Sequence, residues 1–241
     1  MEWQGEGILL AVRPHGESAA IIEVMTLAQG RHSGVVRGGS GRRLAPVLQP
    51  GAQLALTWRA RLSEHIGVFT VEPLRQRAPA LLGDARALAG LSSVCALLVR
   101  VLPERDPHPG LYHSTIGLLD RIGVSQGWMA DYLRWELALL ADLGFGLDLE
   151  TCAVTGSASD LAYVSPRTGR AVARTAAGDW APRLLPLPGF LTAEGGPEEP
   201  AAVAEGLRLT THFLNLALAA GGDGRSLPEP RLRLAALTAR G

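Results

Sequence analysis

Lysine is absent from this chain of 241 residues, so all 23 of its basic residues are arginines. Cysteine is scarce, and the spacing of Cys95 and Cys152 suggests neither a disulfide framework nor a zinc site. No apolar run reaches the roughly 20 residues that cross a bilayer as a helix. These absences exclude a disulfide-rich secreted scaffold and a helical membrane protein. Because Glu2 and Glu6 stand where a signal peptide would be basic, we expect a cytoplasmic protein.

The charge is balanced overall but unevenly distributed. Residues 1–77 contain nine arginines and six acidic residues, a net charge of +3, whereas residues 78–241 contain 14 and 17, a net charge of −3. A sign difference of this kind suggests different partners for the two segments. A GC-rich genome explains the absence of lysine as readily as function does. Arginine nevertheless pairs with phosphate in a bidentate way and stacks on bases, which suits a binding surface.

Apolar residues with a period of two predict a small β-barrel at the N-terminus. The predicted strands are residues 8–12, 19–25, 31–37, 53–62 and 66–72, separated by turns rich in Gly and Pro. The fourth is the clearest, because Leu54, Leu56, Trp58, Ala60 and Leu62 alternate with more polar residues. Five short strands with a connecting turn between the third and fourth match an OB-type barrel, with an SH3-like barrel as the main alternative.

Beyond the barrel the apolar spacing changes to three or four and predicts helices. The predicted helices are residues 81–102, 111–122, 128–143 and 201–218, followed by a basic segment at 231–240. Residues 150–200 are rich in Gly, Pro, Ser and Thr and predict loops with a short strand at 161–164. The predicted fold class is therefore α+β, with a five-stranded OB-fold nucleic-acid-binding domain over residues 1–77 and an α-helical domain over 78–241.

Sequence signatures of enzymes are missing. The glycine-rich residues 38–43 lack the Gly-Lys-Ser/Thr ending of a P-loop, and residues 156–160 lack the second Gly of a nucleophile elbow. The six histidines have no metal-ligand spacing, and the Glu198–Glu199 pair lies in a polar, proline-flanked loop. We therefore predict a binding protein with no catalytic residue, no metal and no cofactor.

A series of short motifs resembles the RecO family of bacterial recombination mediators. In chain order they are Glu-Gly-Ile-Leu-Leu at 6–10, Gly-Glu-Ser at 16–18, Val-Arg-Gly-Gly to Arg-Arg at 36–43, Asp-Leu-Gly-Phe at 142–145, Leu-Asp-Leu at 147–149, Cys-Ala-Val-Thr-Gly at 152–156, Tyr-Val-Ser-Pro at 163–166, Arg-Ser-Leu-Pro at 225–228 and Arg-Leu-Arg-Leu at 231–234. Each motif is weak alone. Their order and spacing cover nearly the whole chain and are together specific.

The resemblance implies an OB-fold followed by a helical body that catalyses no covalent reaction. It implies a mediator of DNA repair and homologous recombination that binds single- and double-stranded DNA and anneals complementary strands. The implied partners are RecR, the C-terminal tail of single-strand-binding protein and, indirectly, RecA, in a cytoplasmic, nucleoid-associated setting without a membrane. An OB-fold RNA-binding protein and a non-catalytic adaptor are the alternatives.

Many family members carry a zinc knuckle with two Cys-x-x-Cys pairs, and this chain departs from that pattern. The four corresponding positions are Cys152, Thr155, Ala173 and Ala176. A tetrahedral zinc site needs four soft donors, so one surviving ligand predicts no zinc. Residues 150–180 are then expected to be a degenerate, metal-free knuckle that needs another source of stability. We expect apolar packing around Leu161, Tyr163, Val164 and Val172.

Arginines of the barrel are the candidate DNA-binding residues. They are Arg31, Arg37, Arg42, Arg43, Arg59 and Arg61. Such cations replace the counterions condensed along a nucleic-acid backbone, and the glycines at 38–41 would let the chain approach phosphates closely. Because Trp58 is predicted to point inward, we expect electrostatic, sequence-indifferent binding with little stacking. The alternative is a solvated edge that prevents strand-to-strand aggregation.

The helical body is the expected site for the tail of single-strand-binding protein. An acidic, apolar tail needs an apolar pocket with a cation at its rim, and Tyr112, Arg121 and Arg134 are the candidates. The alternative for Arg134 is pairing along the helix with Asp131.

Overall fold

The computed structural model describes residues 1–62, 65–222 and 226–239. It contains two compact units, Met1–Gly123 and Val124–Gly241. The strands and helices of the first unit are β1 (Glu2–His15), β2 (Ala19–Thr26), β3 (Gly30–Val36), β4 (Gln53–Arg59), β5 (Val68–Arg75), α1 (Ala85–Val101) and α2 (Pro109–Arg121). Those of the second unit are α3 (Trp128–Asp142), β6 (Leu161–Val164), β7 (Ala171–Ala173), α4 (Arg174–Ala177), β8 (Leu185–Pro186), α5 (Pro200–Ala220) and α6 (Glu229–Thr238).

The N-terminal strands form a closed barrel in the order β1-β2-β3-β5-β4, with β4 pairing back onto β1. All pairs are antiparallel except β3 with β5, which is parallel. This is the strand order of an OB barrel, and it confirms the predicted α+β class over the SH3-like alternative. Strand β1 serves two neighbours because a register shift between Leu9 and Ala11 bends it, so that its first half pairs with β4 and its second half with β2.

Strand β4 is shorter than the alternation predicted. It ends at Arg59, whereas the prediction extended to residue 62. Leu54, Leu56 and Trp58 point into the core as expected, but Leu62 is exposed. An alternating pattern of apolar residues shows which side chains point inward only where the chain is part of the sheet. The chain leaves the sheet after Arg59.

A group of rings fills one part of the barrel interior. Trp3, His32, Trp58 and Phe69 lie with ring centroids 4.9–6.1 Å apart. Two glycines make room for them: a β-carbon at Gly34 would lie 2.3 Å from Phe69, and one at Gly67 would lie 2.4 Å from Trp58. The packing of these rings therefore depends on residues without side chains.

A Gly34→Ala substitution should destabilise the barrel, because the added methyl group overlaps the Phe69 ring. Overpacking of this kind costs about 1–3 kcal/mol. The matched control is Gly5→Ala, since a β-carbon there meets no atom within 4 Å. Urea denaturation should show a lower free energy of unfolding for the Gly34 variant and an unchanged or slightly higher one for the Gly5 variant. Equal values for the two variants would contradict this packing.

His32 gives the barrel a pH-dependent stability. Burial lowers the pKa of His32, and its Nδ1 lies 3.0 Å from the Ser33 carbonyl oxygen. A lowered pKa means that the unfolded chain takes up the proton first as the pH falls. The stabilisation is therefore fully present above the unfolded pKa of about 6.5 and is lost at lower pH.

His32→Phe should keep the ring contacts but remove this titration. Between pH 7 and pH 5, the free energy of unfolding of the natural chain should fall more steeply than that of the variant. Chemical denaturation at several pH values measures both slopes. Parallel slopes would show that His32 is not the group responsible.

The first unit continues beyond the barrel into two helices. Asp84 caps α1 by accepting hydrogen bonds from the backbone N–H groups of Arg86 and Ala87, both at 2.9 Å. Arg77, which is buried, donates to Asp120 of α2 at 2.7 Å and to the Gly51 carbonyl oxygen at 2.9 Å. The barrel and its two helices thus form one compact unit, and the predicted functional boundary after residue 77 stays a prediction.

The second unit surrounds a buried ion pair. Glu136 of α3 and Arg231 of α6 are both inaccessible to solvent, and Arg231 Nη2 donates to Glu136 Oε2 at 3.0 Å. Tyr132 and Thr210 donate their hydroxyl groups to the same carboxylate. Burial lowers the pKa of Arg231, but Glu136 and Tyr132 together raise it by more, so the guanidinium stays charged.

The predicted basic segment at 231–240 is therefore a helix whose first arginine is internal. Its last residue, Arg240, lies outside the described residues, as does Arg225 of the 225–228 motif. A small sheet in the order β7-β6-β8 accompanies the helices. Of the four residues expected to pack there, Leu161, Val164 and Val172 are buried and Tyr163 is half-buried. Within the described ranges, no helix is long and apolar enough to cross a membrane.

Arg231→Met should strongly destabilise the second unit. The substitution leaves Glu136 buried without its cation, which costs about 3–5 kcal/mol in such sites. The double variant Arg231→Met with Glu136→Leu should recover much of that loss, because no charge is then buried unpaired. Equilibrium unfolding of the two variants and the natural chain distinguishes these outcomes, and a double variant no more stable than the single one would refute the explanation.

Candidate nucleic-acid interface

A groove of about 1370 Å³ opens on the barrel where β3 meets β5. These two strands pair through only two residue pairs, Val35 with Val68 and Val36 with Phe69. The segment that follows β3 forms one wall of the groove, and the segment between β4 and β5 contributes the other. Such loops and the adjoining strand face are where OB folds bind oligonucleotides.

Four of the six predicted arginines line this one groove: Arg37, Arg43, Arg59 and Arg61. All four are exposed. Arg37, Arg43 and Arg61 have no salt bridge to any residue that the structure describes. Arg59 pairs with Glu2 at 2.8 Å, but the two side chains are 66% and 46% exposed, and pairs of this kind in water contribute little. The groove therefore offers unneutralised positive charge.

Arg42 lies beside the groove in the same glycine-rich segment and is also exposed. The segment is ordered by hydrogen bonds to the turn between β1 and β2. The Ser40 backbone N–H donates to the Ser18 carbonyl oxygen at 3.0 Å, and the Ser40 hydroxyl donates to that of Ala19 at 2.8 Å. Gly38 has a φ of +69°, a conformation that favours glycine. These contacts order the backbone that leads into Arg42 and Arg43.

Arg31 has a different environment. Its side chain is only 15% exposed, and its guanidinium donates to Glu23 at 2.6 Å and to the Leu102 carbonyl oxygen at 2.9 Å. Glu104 lies 3.7 Å away on the same guanidinium. These bonds attach β3 to the segment after α1, so the Arg31 guanidinium is engaged inside the first unit. A contact between Arg31 and DNA stays a prediction.

The floor of the groove is apolar, with the strand residues Val36, Phe69 and Val71. Trp58 points inward, as predicted, and donates its indole N–H to the Ile66 carbonyl oxygen at 3.1 Å. Phe69 is 2% exposed and offers no open face for stacking, so the imidazole of His65, which is exposed, is the accessible aromatic ring among the described groove residues. His65 and Ile66 also line the groove and were not singled out beforehand. In the sequence, their only indication was their position around the start of the predicted fifth strand, just before the observed β5.

The predicted partner-binding residues are spread over both units. Tyr112 is buried and lines a cavity of about 340 Å³ together with Trp3 and Leu27. Arg121 is exposed at the end of the same helix, but nine positions correspond to two and a half turns, so the two side chains project to opposite sides.

Arg134 lies in the second unit and has polar contacts within it. Its guanidinium is 3.2 Å from Asp131 and 3.2 Å from Glu198, and it donates to the Phe190 carbonyl oxygen at 3.1 Å. The contact with Asp131 is the helix pairing given above as the alternative role of Arg134. The three partner-binding residues stay predictions.

The degenerate knuckle does not fit a zinc ion. Cys152 is buried, and the backbone N–H of Ala173 donates to its sulfur at 3.2 Å, at a position where a knuckle would supply a second ligand. Burial raises the pKa of the Cys152 thiol, but hydrogen bonds from Ala173, Thr155 and Val154 lower it by more, to about 7. Across the described ranges no three His, Cys, Asp or Glu side chains are grouped as metal ligands would be.

Comparison with known proteins assigns both halves of the chain to one family. The model described as Recombination protein O N terminal matches residues 1–77, and the one described as Recombination protein O C terminal matches residues 82–223. Three relatives carry the name DNA repair protein RecO. That of a Cereibacter sphaeroides strain is 61% identical over 244 residues, with each chain covered in full. That of Roseobacter denitrificans is 58% identical and covers 97% of this chain and 96% of its own. That of a Ruegeria strain is 54% identical, and the match covers 100% of this chain and 99% of the relative.

Proposed function

Because this chain belongs to the RecO family of DNA repair proteins, we propose that the barrel groove holds single-stranded DNA by its phosphates during repair and recombination. The observation that carries the proposal is the convergence of Arg37, Arg43, Arg59 and Arg61 on one groove, three of them without a salt bridge in the described chain. Arg42 adds a fifth exposed cation beside them. An exposed solvated edge would need charge, but not five cations around a single concavity.

The chemistry of the groove favours contacts to the backbone over contacts to bases. Each phosphate that an arginine neutralises releases condensed counterions, which is favourable at low salt. The apolar floor presents neither an open aromatic ring nor a row of polar groups to read base edges. Binding should therefore be indifferent to sequence, and double-stranded DNA should bind through the same phosphates.

Backbone-held strands are also suited to annealing. A strand whose phosphates face the protein keeps its base edges directed away from the arginines and available for pairing. Neutralised phosphates lower the repulsion between two approaching strands, which otherwise opposes duplex formation. No proton or bond needs to be transferred in this process, so the proposal includes no catalytic residue.

Arg42→Ala with Arg43→Ala should weaken binding of an oligothymidylate and flatten its salt dependence. A single strand contributes about 0.7 to the slope of log K against log salt per neutralised phosphate, so two lost contacts should reduce the slope by about 1.4. Fluorescence anisotropy titrations at several salt concentrations measure the binding constants from which this slope is obtained.

The matched control for this pair is Arg86→Ala with Arg233→Ala. It removes the same charge from two exposed helical positions, neither of which lines the groove. If both double variants reduce the slope equally, the effect is one of net charge, and the assignment to the groove is wrong.

The partners proposed for this function are RecR, the C-terminal tail of single-strand-binding protein and, indirectly, RecA. What supports them is the family membership. Strand annealing of complementary DNA coated with single-strand-binding protein tests the mediator role, because an adaptor without DNA contacts would not anneal. Competition between DNA and RNA of equal length tests the RNA-binding alternative, which requires a preference for RNA.

A further inference from the structure

Trp180 stands apart from the other tryptophans of the chain. It is 65% exposed, whereas Trp58, Trp128 and Trp135 are buried at 3–4% and Trp3 is half-buried. A large indole surface left in water forgoes the free energy that burial would provide, and large exposed apolar groups often mark binding surfaces. Trp180 therefore needs an explanation other than packing.

Arg183 covers part of the Trp180 ring. Its guanidinium carbon lies 5.2 Å from the ring centroid. Both residues belong to the 3₁₀ segment Gly178–Arg183, in which side chains three positions apart stand above one another. Arg183 is exposed and has no salt bridge to a described residue, so its charge is available to a ligand. A ring so exposed with an arginine on one face keeps open surface for a second flat group.

The surrounding sequence is basic. Residues 161–187 contain four arginines and one acidic residue, Asp179, although residues 78–241 as a whole have an excess of acid. Arg170 pairs with Asp148 at 3.2 Å and Arg174 with Asp160 at 3.4 Å, all of them exposed. Arg167, like Arg183, is exposed without a salt bridge in the described chain. Two arginines of this segment are therefore free of salt bridges in the described chain, and one of them, Arg183, lies over the exposed ring.

We propose that Trp180 and Arg183 form a base-stacking platform for single-stranded DNA. One base stacks on the open indole surface, and Arg183 pairs with an adjacent phosphate. This inference rests on the proposed function, and it supplies an exposed indole, which the described lining of the barrel groove lacks. A ring exposed to this degree offers no deep pocket, which an apolar peptide anchor needs, whereas a base needs only a flat face.

Intrinsic fluorescence offers a direct test, because Trp180 is the most exposed of the described tryptophans. Titration with an oligothymidylate should quench the tryptophan fluorescence of the natural protein, and the Trp180→Ala variant should lose that quenching. Stacking of one base corresponds to about a 5- to 150-fold change in affinity, so Trp180→Ala should bind that much more weakly. Trp180→Phe should retain most of the affinity, because it keeps an aromatic face. Since Trp180 is exposed, these variants should unfold like the natural chain.

An abasic oligonucleotide of equal length separates stacking from charge. It should bind the natural protein and Trp180→Ala equally, because it has no base to stack. The salt slope should not change in Trp180→Ala, whereas it falls in the Arg42 and Arg43 double variant.

Two results would overturn the platform while leaving the groove intact. One is unchanged oligothymidylate affinity in Trp180→Ala when the double arginine variant is impaired. The other is a loss of acidic-peptide binding in Trp180→Ala while its oligothymidylate affinity is unchanged, which would make the exposed indole a peptide-binding site. If the natural protein binds no oligonucleotide at all, the proposed function itself fails.

Discussion

The parallel pairing of β3 with β5 joins only two residue pairs, yet the barrel closes through it. The same short contact decides where the groove lies, because the chain beyond Val36 and the chain before Val68 diverge from it on either side. Arg37 follows the last paired residue of β3, and Arg61 lies in the segment that leads to β5. Phe69, itself one of the paired residues, packs against Gly34 and joins the closure to the aromatic core. Closure, core and groove are thus aspects of one arrangement.

Two groups of arginines in this chain differ sharply in their environment. Arg31, Arg77 and Arg231 are largely buried, and each is matched by a carboxylate and by carbonyl oxygens, because an unpaired charge away from water would be too costly. Arg37, Arg42, Arg43 and Arg61 remain hydrated and have no salt bridge in the described part of the chain. The first group holds elements together, whereas the second has charge left for a polyanion.

Backbone neutralisation and base stacking would be separated along this chain. The described residues of the barrel groove supply cations but no exposed Trp, Tyr or Phe ring, and the Gly178–Arg183 segment has an exposed indole with a cation on it. Salt weakens the first kind of contact much more than the second. A protein that uses both kinds of contact would keep its stacked base in place while its phosphate contacts exchange.

Sequence alone determined the elements that depend on local pattern. Alternation along residues 53–58 identified the inward face of β4 and the orientation of Trp58, the change of spacing identified the helices, and motif order identified the family. Tertiary structure alone decided which charges are engaged. Glu136 and Arg231 are separated by 95 positions, and Arg31 bonds to a carbonyl group 71 positions away, so no local pattern reports either contact. The exposure of Trp180 was likewise hidden, because a pattern shows which residues could be buried but not whether the fold places another element over them.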